Sequence, residues 1–250
     1  VLVTGPTGSG KTTTLYSTLQ KLAGPQVNVT SIEDPIEMVS EDFNQVLVQP
    51  KIDVTFARAL KTILRQDPDI IMVGEIRDQE TAQMAIQAAL TGHLVFSTVH
   101  TNDAAATISR MLDLGVEPFL LSSTLIGVVA QRLVRTICSQ CRADTALSKE
   151  QAGLLGINIP PRSDKTLPVY YGEGCTKCRT TGYYGRTGVF ELMPIDDTIR
   201  KLISRQADAP DIRKAARAEG VTSLRDSAVR KLADGETTFE EVMTIASESR

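Results

Sequence analysis

The chain has 250 residues, with 27 Lys and Arg against 30 Asp and Glu, a formal charge of −3. Hydrophobic residues make up 42% and charged residues 23%, a globular mix that excludes a disordered tail, a collagen and a coiled coil. No stretch approaches the roughly 20 apolar residues of a membrane-spanning helix, and none reads as a secretory or transit leader. The near-balanced charge argues against a dedicated nucleic-acid binder. The first residue is not Met and the chain enters the apolar run Val1-Leu2-Val3 at once, so a piece of a longer protein is expected.

Short apolar runs alternate with helical patterns from residue 1 to 137, which predicts an α/β fold with a central sheet. The predicted strands are Val1–Thr4, Val27–Ile32, Gln45–Gln49, Ile70–Gly74 and Leu94–Val99. Leu15, Leu19 and Leu22 share one helical face after the first strand; Phe56, Leu60 and Leu64 share another, on a helix expected to end at Pro68. Ala82, Ala85, Ile86, Ala89 and Leu90 form a further stripe, small enough to pack closely on a sheet, with Gly92 as its stop. From Cys138 to Cys178 the chain turns polar and rich in Gly and Pro, with Pro160-Pro161 in the middle, and reads as a small inserted module rather than more sheet. A strand is predicted over 186–193, followed by helices; Gly235 stops one of them, and Thr238 with Glu241 reads as a capping box for the last.

Gly5-Pro6-Thr7-Gly8-Ser9-Gly10-Lys11-Thr12, followed by Thr13, fits the phosphate-loop pattern at every fixed position, between a strand and a helix. Its glycines let several backbone N–H groups converge on one anion, and the helix N-terminus adds partial positive charge. Lys11 can reach the β- and γ-phosphates of a nucleoside triphosphate, and Thr12 offers a hydroxyl to Mg²⁺. The strand Ile70–Gly74 runs into Glu75, and Ser31-Ile32 runs into Glu33-Asp34-Pro35. At the carboxyl ends of parallel strands these acids face one crevice. Either glutamate can hold Mg²⁺ or polarise water, and the two can divide that work; Asp34 is equally a helix-cap candidate. The two histidines, His93 and His100, bracket one strand, and Ser97-Thr98-Val99-His100-Thr101-Asn102 makes a polar cluster at its far end.

All four cysteines fall in two C-x-x-C pairs, Cys138/Cys141 and Cys175/Cys178. Two pairs complete a tetrahedral Zn²⁺ shell with no open position, which predicts a structural rather than a catalytic metal, with a disulfide pair, redox chemistry and an iron–sulfur cluster as the rival readings. Arg132, Arg135, Arg142, Lys177, Arg179 and Arg186 cluster around them in sequence, with Tyr170, Tyr171, Tyr183 and Tyr184. That composition suits a protein contact better than nucleic acid, because phosphate binding wants a broader basic surface.

The run Leu64-Arg65-Gln66-Asp67-Pro68-Asp69-Ile70-Ile71-Met72-Val73-Gly74-Glu75-Ile76-Arg77-Asp78 resembles the signature of the type II secretion and type IV pilus assembly ATPases. Ile32–Glu37 resembles that family's aspartate box, Gly92–Asn102 its histidine box, and the tetracysteine insert and Gly182–Gly188 also fit. The resemblance spans essentially the whole chain, in the family's order. It implies a RecA-like P-loop NTPase core over 1–137, a zinc-binding tetracysteine module over 138–178, and a return strand with a helical C-terminal subdomain over 179–250. It implies that Glu33 activates the water, Glu75 serves magnesium and His100 senses the γ-phosphate. It further implies a homo-hexameric motor at the cytoplasmic face of the inner membrane, touching the membrane only through partner proteins of the machine, with no nucleic acid. Family members carry a domain ahead of the phosphate loop that supplies arginines to the site; Arg58, Arg65 and Arg77 are the arginine candidates within this chain. A nucleic-acid translocase with a zinc module and a nucleotide-gated scaffold without turnover are the rival expectations.

Overall fold

The computed structural model describes residues 1–157 and 167–248, so Pro160-Pro161 lies outside the described residues. The five expected apolar runs all become strands. In chain order the first part holds β1 (Leu2–Thr4), α1 (Lys11–Leu22), β2 (Val29–Glu33), β3 (Asn44–Leu47), α2 (Phe56–Ile63), β4 (Ile70–Val73) and α3 (Gln79–Leu90). It continues through β5 (Leu94–Val99), α4 (Ala104–Asp113), α5 (Pro118–Thr124) and β6 (Gly127–Ile137). After these come β7 (Arg142–Leu147), α6 (Lys149–Leu154), β8 (Leu167–Gly172), β9 (Tyr183–Pro194), α7 (Asp197–Ser204), α8 (Ala209–Ala218), α9 (Leu224–Ala233) and α10 (Phe239–Glu248).

The sheet order is β3-β2-β4-β5-β1-β6-β9. Every pairing from β3 through β6 is parallel, with Val3 opposite both Thr98 and Val129, and Ile71 opposite both Thr30 and Val95. The carboxyl ends of β2, β4, β5 and β1 therefore share one edge, and β5 lies between the strand that enters the phosphate loop and the strand that enters Glu75. Strands buried on both faces need continuous apolar runs, and β4 is buried at all four positions. Of the helix face expected from Leu15, Leu19 and Leu22, the first two pack with Tyr16 against Val3, Val29, Phe43, Ile70, Met72 and Phe96, while Leu22 is exposed. Each such fully buried aliphatic chain contributes about 1.5–3 kcal/mol. Of the stripe expected on α3, Ala82, Ala85 and Ile86 are buried, with Ala88 beside them, while Ala89 is half-buried and Leu90 is exposed at the end of the helix.

The contacts of the chain gather into two compact units, Val1–Gln131 with Leu192–Val221, and Arg132–Glu191 with Thr222–Arg250. The first holds the nucleotide-loop sequence and the parallel sheet. The second holds all four cysteines, a two-stranded antiparallel sheet of β7 and β8, and α6, α9 and α10.

Several local expectations change. The helix bearing Phe56 and Leu60 ends at Ile63, its cap at Leu64 bonding back to Leu60 O, so the chain has left the helix before Pro68 arrives. Asp34 caps nothing: the backbone after β2 makes bends, not a helix. The cysteine segment carries sheet of its own, β7 and β8, in register from Arg142 opposite Gly172 to Leu147 opposite Leu167. Thr238 and Glu241 are turned to side chains and backbone elsewhere in their unit, Thr238 to the Tyr183 hydroxyl and Glu241 to Arg135. Gly92, at φ +100°, stops α3 as expected, with its N–H on Ala89 O. Gly235, at φ +69°, ends α9 in the same way.

Candidate functional site

The phosphate loop is shaped by positive φ at Gly5 (+151°), Gly8 (+81°) and Gly10 (+86°), and closed by Ser9 N–H on Pro6 O at 3.2 Å. A Cβ on Gly5 would lie 2.4 Å from Gln131 O, so only glycine fits there. The Lys11 ammonium donates to Gly5 O at 2.8 Å and Pro6 O at 3.1 Å, which holds it across the loop. Ser9 Oγ is buried without a protein partner. A buried donor of this kind costs free energy unless a ligand accepts from it, and it fits a phosphate cradle. Gly10 precedes the first turn of α1, where Lys11 is buried, Thr12 half-buried and Thr13 exposed.

Residues from β1, β5 and β6 brace this loop. Gln131 Nε2 donates to Ser9 O at 2.8 Å, and Thr14 Oγ1 donates to Gln131 Oε1 at 2.8 Å. Thr4 Oγ1, at the end of β1, lies 2.7 Å from Thr101 Oγ1 and accepts from Thr101 N–H at 2.9 Å, fixing the segment after β5. Ser97 Oγ donates to Val73 O and Thr98 Oγ1 to Gly74 O, both at 2.7 Å, and Ile76 N–H donates to Thr98 O at 2.9 Å. These bonds clamp the end of β4 and so set where Glu75 sits.

Glu75 lies 3.7 Å from His100 Nε2 and 2.5 Å from Arg77 Nη2. The imidazole is pushed below its ordinary value by burial and by the Lys11 charge, with Arg77 adding and Glu75 and the Gly5 backbone opposing. A neutral ring is favoured. Lys11, Glu75, His100 and Arg77 thus share one electrostatic environment at the carboxyl edge of the sheet.

Glu33 is placed differently. It is 3% exposed, and its carboxylate accepts from Tyr16 Oη at 2.6 Å, Ser31 Oγ at 2.6 Å and Gln45 Nε2 at 3.1 Å. His93 sits at the opposite end of β5 from His100, its Nδ1 2.9 Å from Ala88 O and 3.0 Å from Thr91 Oγ1. Arg58 is exposed and pairs with Asp53, and Arg65 is exposed.

In the second unit the four cysteine sulfurs all lie within 4.8 Å of one another. Cys138 to Cys175 and Cys141 to Cys178 are each 3.8 Å, and Cys175 to Cys178 is 3.7 Å. A tetrahedron of thiolates about 2.3 Å from a central ion has edges of about 3.8 Å, whereas a disulfide needs about 2.05 Å. Backbone N–H groups point at the sulfurs, Gly174 to Cys141 at 3.3 Å, and Cys175 and Gly182 to Cys178 at 3.1 and 3.3 Å. Burial opposes ionisation of Cys178, but those amides bring its thiol down to about 6, and burial pushes Cys141 up to about 12. The loops cross so closely that a Cβ on Gly172 would lie 2.1 Å from Gly182 O. Around them Arg135 lies 3.9 Å from the Tyr183 ring centroid and is bidentate to Glu241 Oε1, Arg142 lies 3.5 Å over Tyr170, and Lys177 lies 4.8 Å over Tyr184.

Thr4, Tyr16, Gln45 and Gln131 carried no sequence signal, because each acts through a partner remote in the chain, whereas Ser31 stands two residues before the Glu33 it bonds. Ser97 and Thr98 were visible as a polar cluster, though not as a clamp on β4.

The chain belongs to the type II/IV secretion system protein family, whose model matches residues 1–244. It is 51% identical to the type IV pilus assembly ATPase TfpB of Acinetobacter baylyi over 98% of this chain and 42% of that protein. It is 50% identical to the type II secretion system ATPase E of Vibrio cholerae over 100% of this chain and 48% of that protein. The chain therefore spans about half the length of these relatives. Among solved structures, the pilus retraction motor PilT with bound ADP aligns with TM-score 0.70 and 30% identity, covering 98% of this chain and 60% of that one.

Proposed function

We propose that this chain is the ATP-hydrolysing part of a motor that powers type II protein secretion or type IV pilus assembly, built on a RecA-like core. The observation that carries this reading is the meeting of Lys11, Glu75 and His100 at the carboxyl edge of the parallel sheet, beside a glycine-shaped loop. The relatives named as secretion and pilus assembly ATPases support it.

In this reading ATP lies on residues 5–13, its phosphates on the loop amides, Ser9 Oγ and Lys11. Water attacks the γ-phosphorus, the bond to the ADP oxygen breaks with its electron pair staying on ADP, and one water proton passes to Glu33. Thr12 and Glu75 are the oxygen donors that would hold magnesium, which when bound neutralises phosphate charge. His100, next to Glu75, is placed to sense the γ-phosphate. Catalysis then consists mainly of positioning and charge neutralisation.

The four cysteines hold a structural Zn²⁺, a role supported by the sulfur spacing. Around them, ring faces of Tyr170, Tyr183 and Tyr184 are engaged by Arg142, Arg135 and Lys177, which favours protein contact over base stacking. Residues 1–137 act as the nucleotide-binding core, 138–178 as the zinc module and 179–250 as the return strand with its helical subdomain. The motor works as a homo-hexamer with cytoplasmic and inner-membrane components of the machine, and meets the membrane through them. Among the described residues no helix is long and apolar enough to cross a membrane.

The test is ATPase activity of the full-length protein against its concentration, with light scattering on the same samples. Activity that rises as hexamers form and vanishes in Lys11→Ala supports the motor. Full activity in a monomer, or hydrolysis that depends on added DNA, overturns it.

A further inference from the structure

Glu33 sits in a cage that has more hydrogen-bonding contacts than protons. Tyr16 Oη contacts Glu33 Oε2 at 2.6 Å and Met38 O at 2.9 Å. Ser31 Oγ contacts Glu33 Oε1 at 2.6 Å. Gln45 Nε2 contacts Tyr16 Oη at 2.9 Å, Glu33 Oε1 at 3.1 Å and Met38 O at 2.9 Å. Its orientation is set by Ser40 N–H, which donates to Gln45 Oε1 at 2.8 Å. Two hydroxyl protons and two amide protons must serve these six contacts, so two stay unfilled while Glu33 is ionised.

One added proton can be taken up without breaking the cage. With that proton on Oε2, Glu33 donates to the phenol oxygen, and the phenol turns its own O–H to Met38 O. A buried carboxylate that lacked this alternative would resist protonation, because all its neighbours would be donors.

We propose that Tyr16 is a positioning residue that acts through Glu33, its hydroxyl serving as a two-position switch. It donates to ionised Glu33, and it accepts from Glu33 and donates to Met38 O once Glu33 has taken the proton from water. The inference rests on the reading of Glu33 as the proton acceptor. The balance is that one water O–H bond breaks, the oxygen joins phosphorus, the proton sits on Glu33 and is later returned to solvent.

The surroundings suit a switch. Tyr16 is 1% exposed, and the Phe43 ring meets it edge-on at 5.4 Å. Burial first, then the hydrogen bond and charge of Glu33, push the phenol up to about 12, so it turns rather than ionises. Glu33 is the charge that acts on the phenol, while Gln45 from β3 and the Met38 carbonyl are neutral. Ser31, on the same strand as Glu33, is also neutral, and Asp34 beside it is exposed. Because Met38 lies in the segment between β2 and β3, the protonation state of Glu33 is also felt by that segment.

The experiment is steady-state ATP hydrolysis by the full-length protein from about pH 5 to about pH 9, comparing Tyr16→Phe, Tyr16→3-fluorotyrosine and Glu33→Gln. Losing a donor to the ionised form raises the carboxyl pKa. Tyr16→Phe is expected to lower kcat about tenfold with little change in KM, and to move the acid limb of kcat to higher pH. Fluorotyrosine, a stronger donor, moves that limb to lower pH. If Glu33→Gln abolishes turnover but neither Tyr16 variant moves the limb, the switch is wrong and the Glu33 reading stands. If Glu33→Gln turns over normally, the Glu33 reading fails and the switch with it. Should Tyr16→Phe not fold, the fluorotyrosine limb decides alone, and an unmoved limb overturns the switch.

Discussion

Gln131 reaches from β6 to the phosphate loop, its amide donating to Ser9 O at 2.8 Å while its oxygen accepts from Thr14 at 2.8 Å. One side chain thus pins the loop and the first turn of the helix behind it. Gln131→Leu removes both bonds and leaves Ser9 O without this donor, at a cost of about 1–3 kcal/mol. Nucleotide affinity is expected to fall about tenfold, since a looser loop must be ordered on binding. Titration with a fluorescent nucleotide and thermal unfolding on the same variant check both numbers. Thr14→Val, which removes one bond only, should lie between the variant and the parent.

Asp103 has two duties. It caps α4 by accepting from Ala106 N–H at 2.7 Å, and it pairs with Arg213 at 2.5 Å on the same unit. Asp103→Ala loses the cap and the pair and is expected to cost about 2–3 kcal/mol. Arg213 is more exposed, so Arg213→Ala should cost about 1 kcal/mol or less. Denaturant unfolding of both variants checks the difference; equal losses would mean that the cap contributes nothing.

The cysteine cluster predicts one tightly held metal per chain. A chelator strong enough to strip zinc is expected to lower the unfolding midpoint by about 5–10 °C, and added zinc to restore it. Cys178→Ser should reduce the measured zinc content well below one per chain. Elemental analysis with melting curves before and after chelation makes the test, and zinc-free protein with an unchanged midpoint would count against the site.

Tyr16 makes stability fall at alkaline pH. Its phenol titrates at about 12 in the fold against an ordinary value of 10.0. Above pH 10 the unfolded chain has lost this proton while the folded chain keeps it, so stability decreases as pH rises from about 10 to about 12. Below the unfolded value the contribution is complete. Tyr16→Phe removes this component, and its stability should decline less steeply than the parent's across that window. Urea unfolding at several alkaline pH values shows whether the two slopes differ.

The parts of the site that could be read in the sequence are those whose chemistry is local. Gly5 to Thr12 declares a phosphate loop by spacing alone, Glu75 follows its own strand, and the cysteines come in two short pairs. The remaining parts act across the chain. Tyr16 and Glu33 are 17 residues apart, Asp103 and Arg213 are 110 apart, and Gln131 and Ser9 are 122 apart. Nothing in a local pattern signals such pairs. Strand β6 escaped for a different reason: Gln131, Arg132 and Arg135 interrupt its apolar run, yet Gln131 is buried because it bonds the loop, and Arg135 is held by Glu241. The helix before Pro68 ended early because backbone capping at Leu64 acts before a proline can.

Strands β6 and β9 each pass from one compact unit into the other, so both units are assembled from two separate lengths of chain. During synthesis the sheet-bearing unit cannot be completed when residue 131 leaves the ribosome; it must wait for Leu192–Val221. The cysteine-bearing unit waits longer still, for the residues from Thr222 onward. Nascent chains halted before these points should expose apolar surface and bind holding chaperones, and a single proteolytic cut within either crossing strand should disturb both units together.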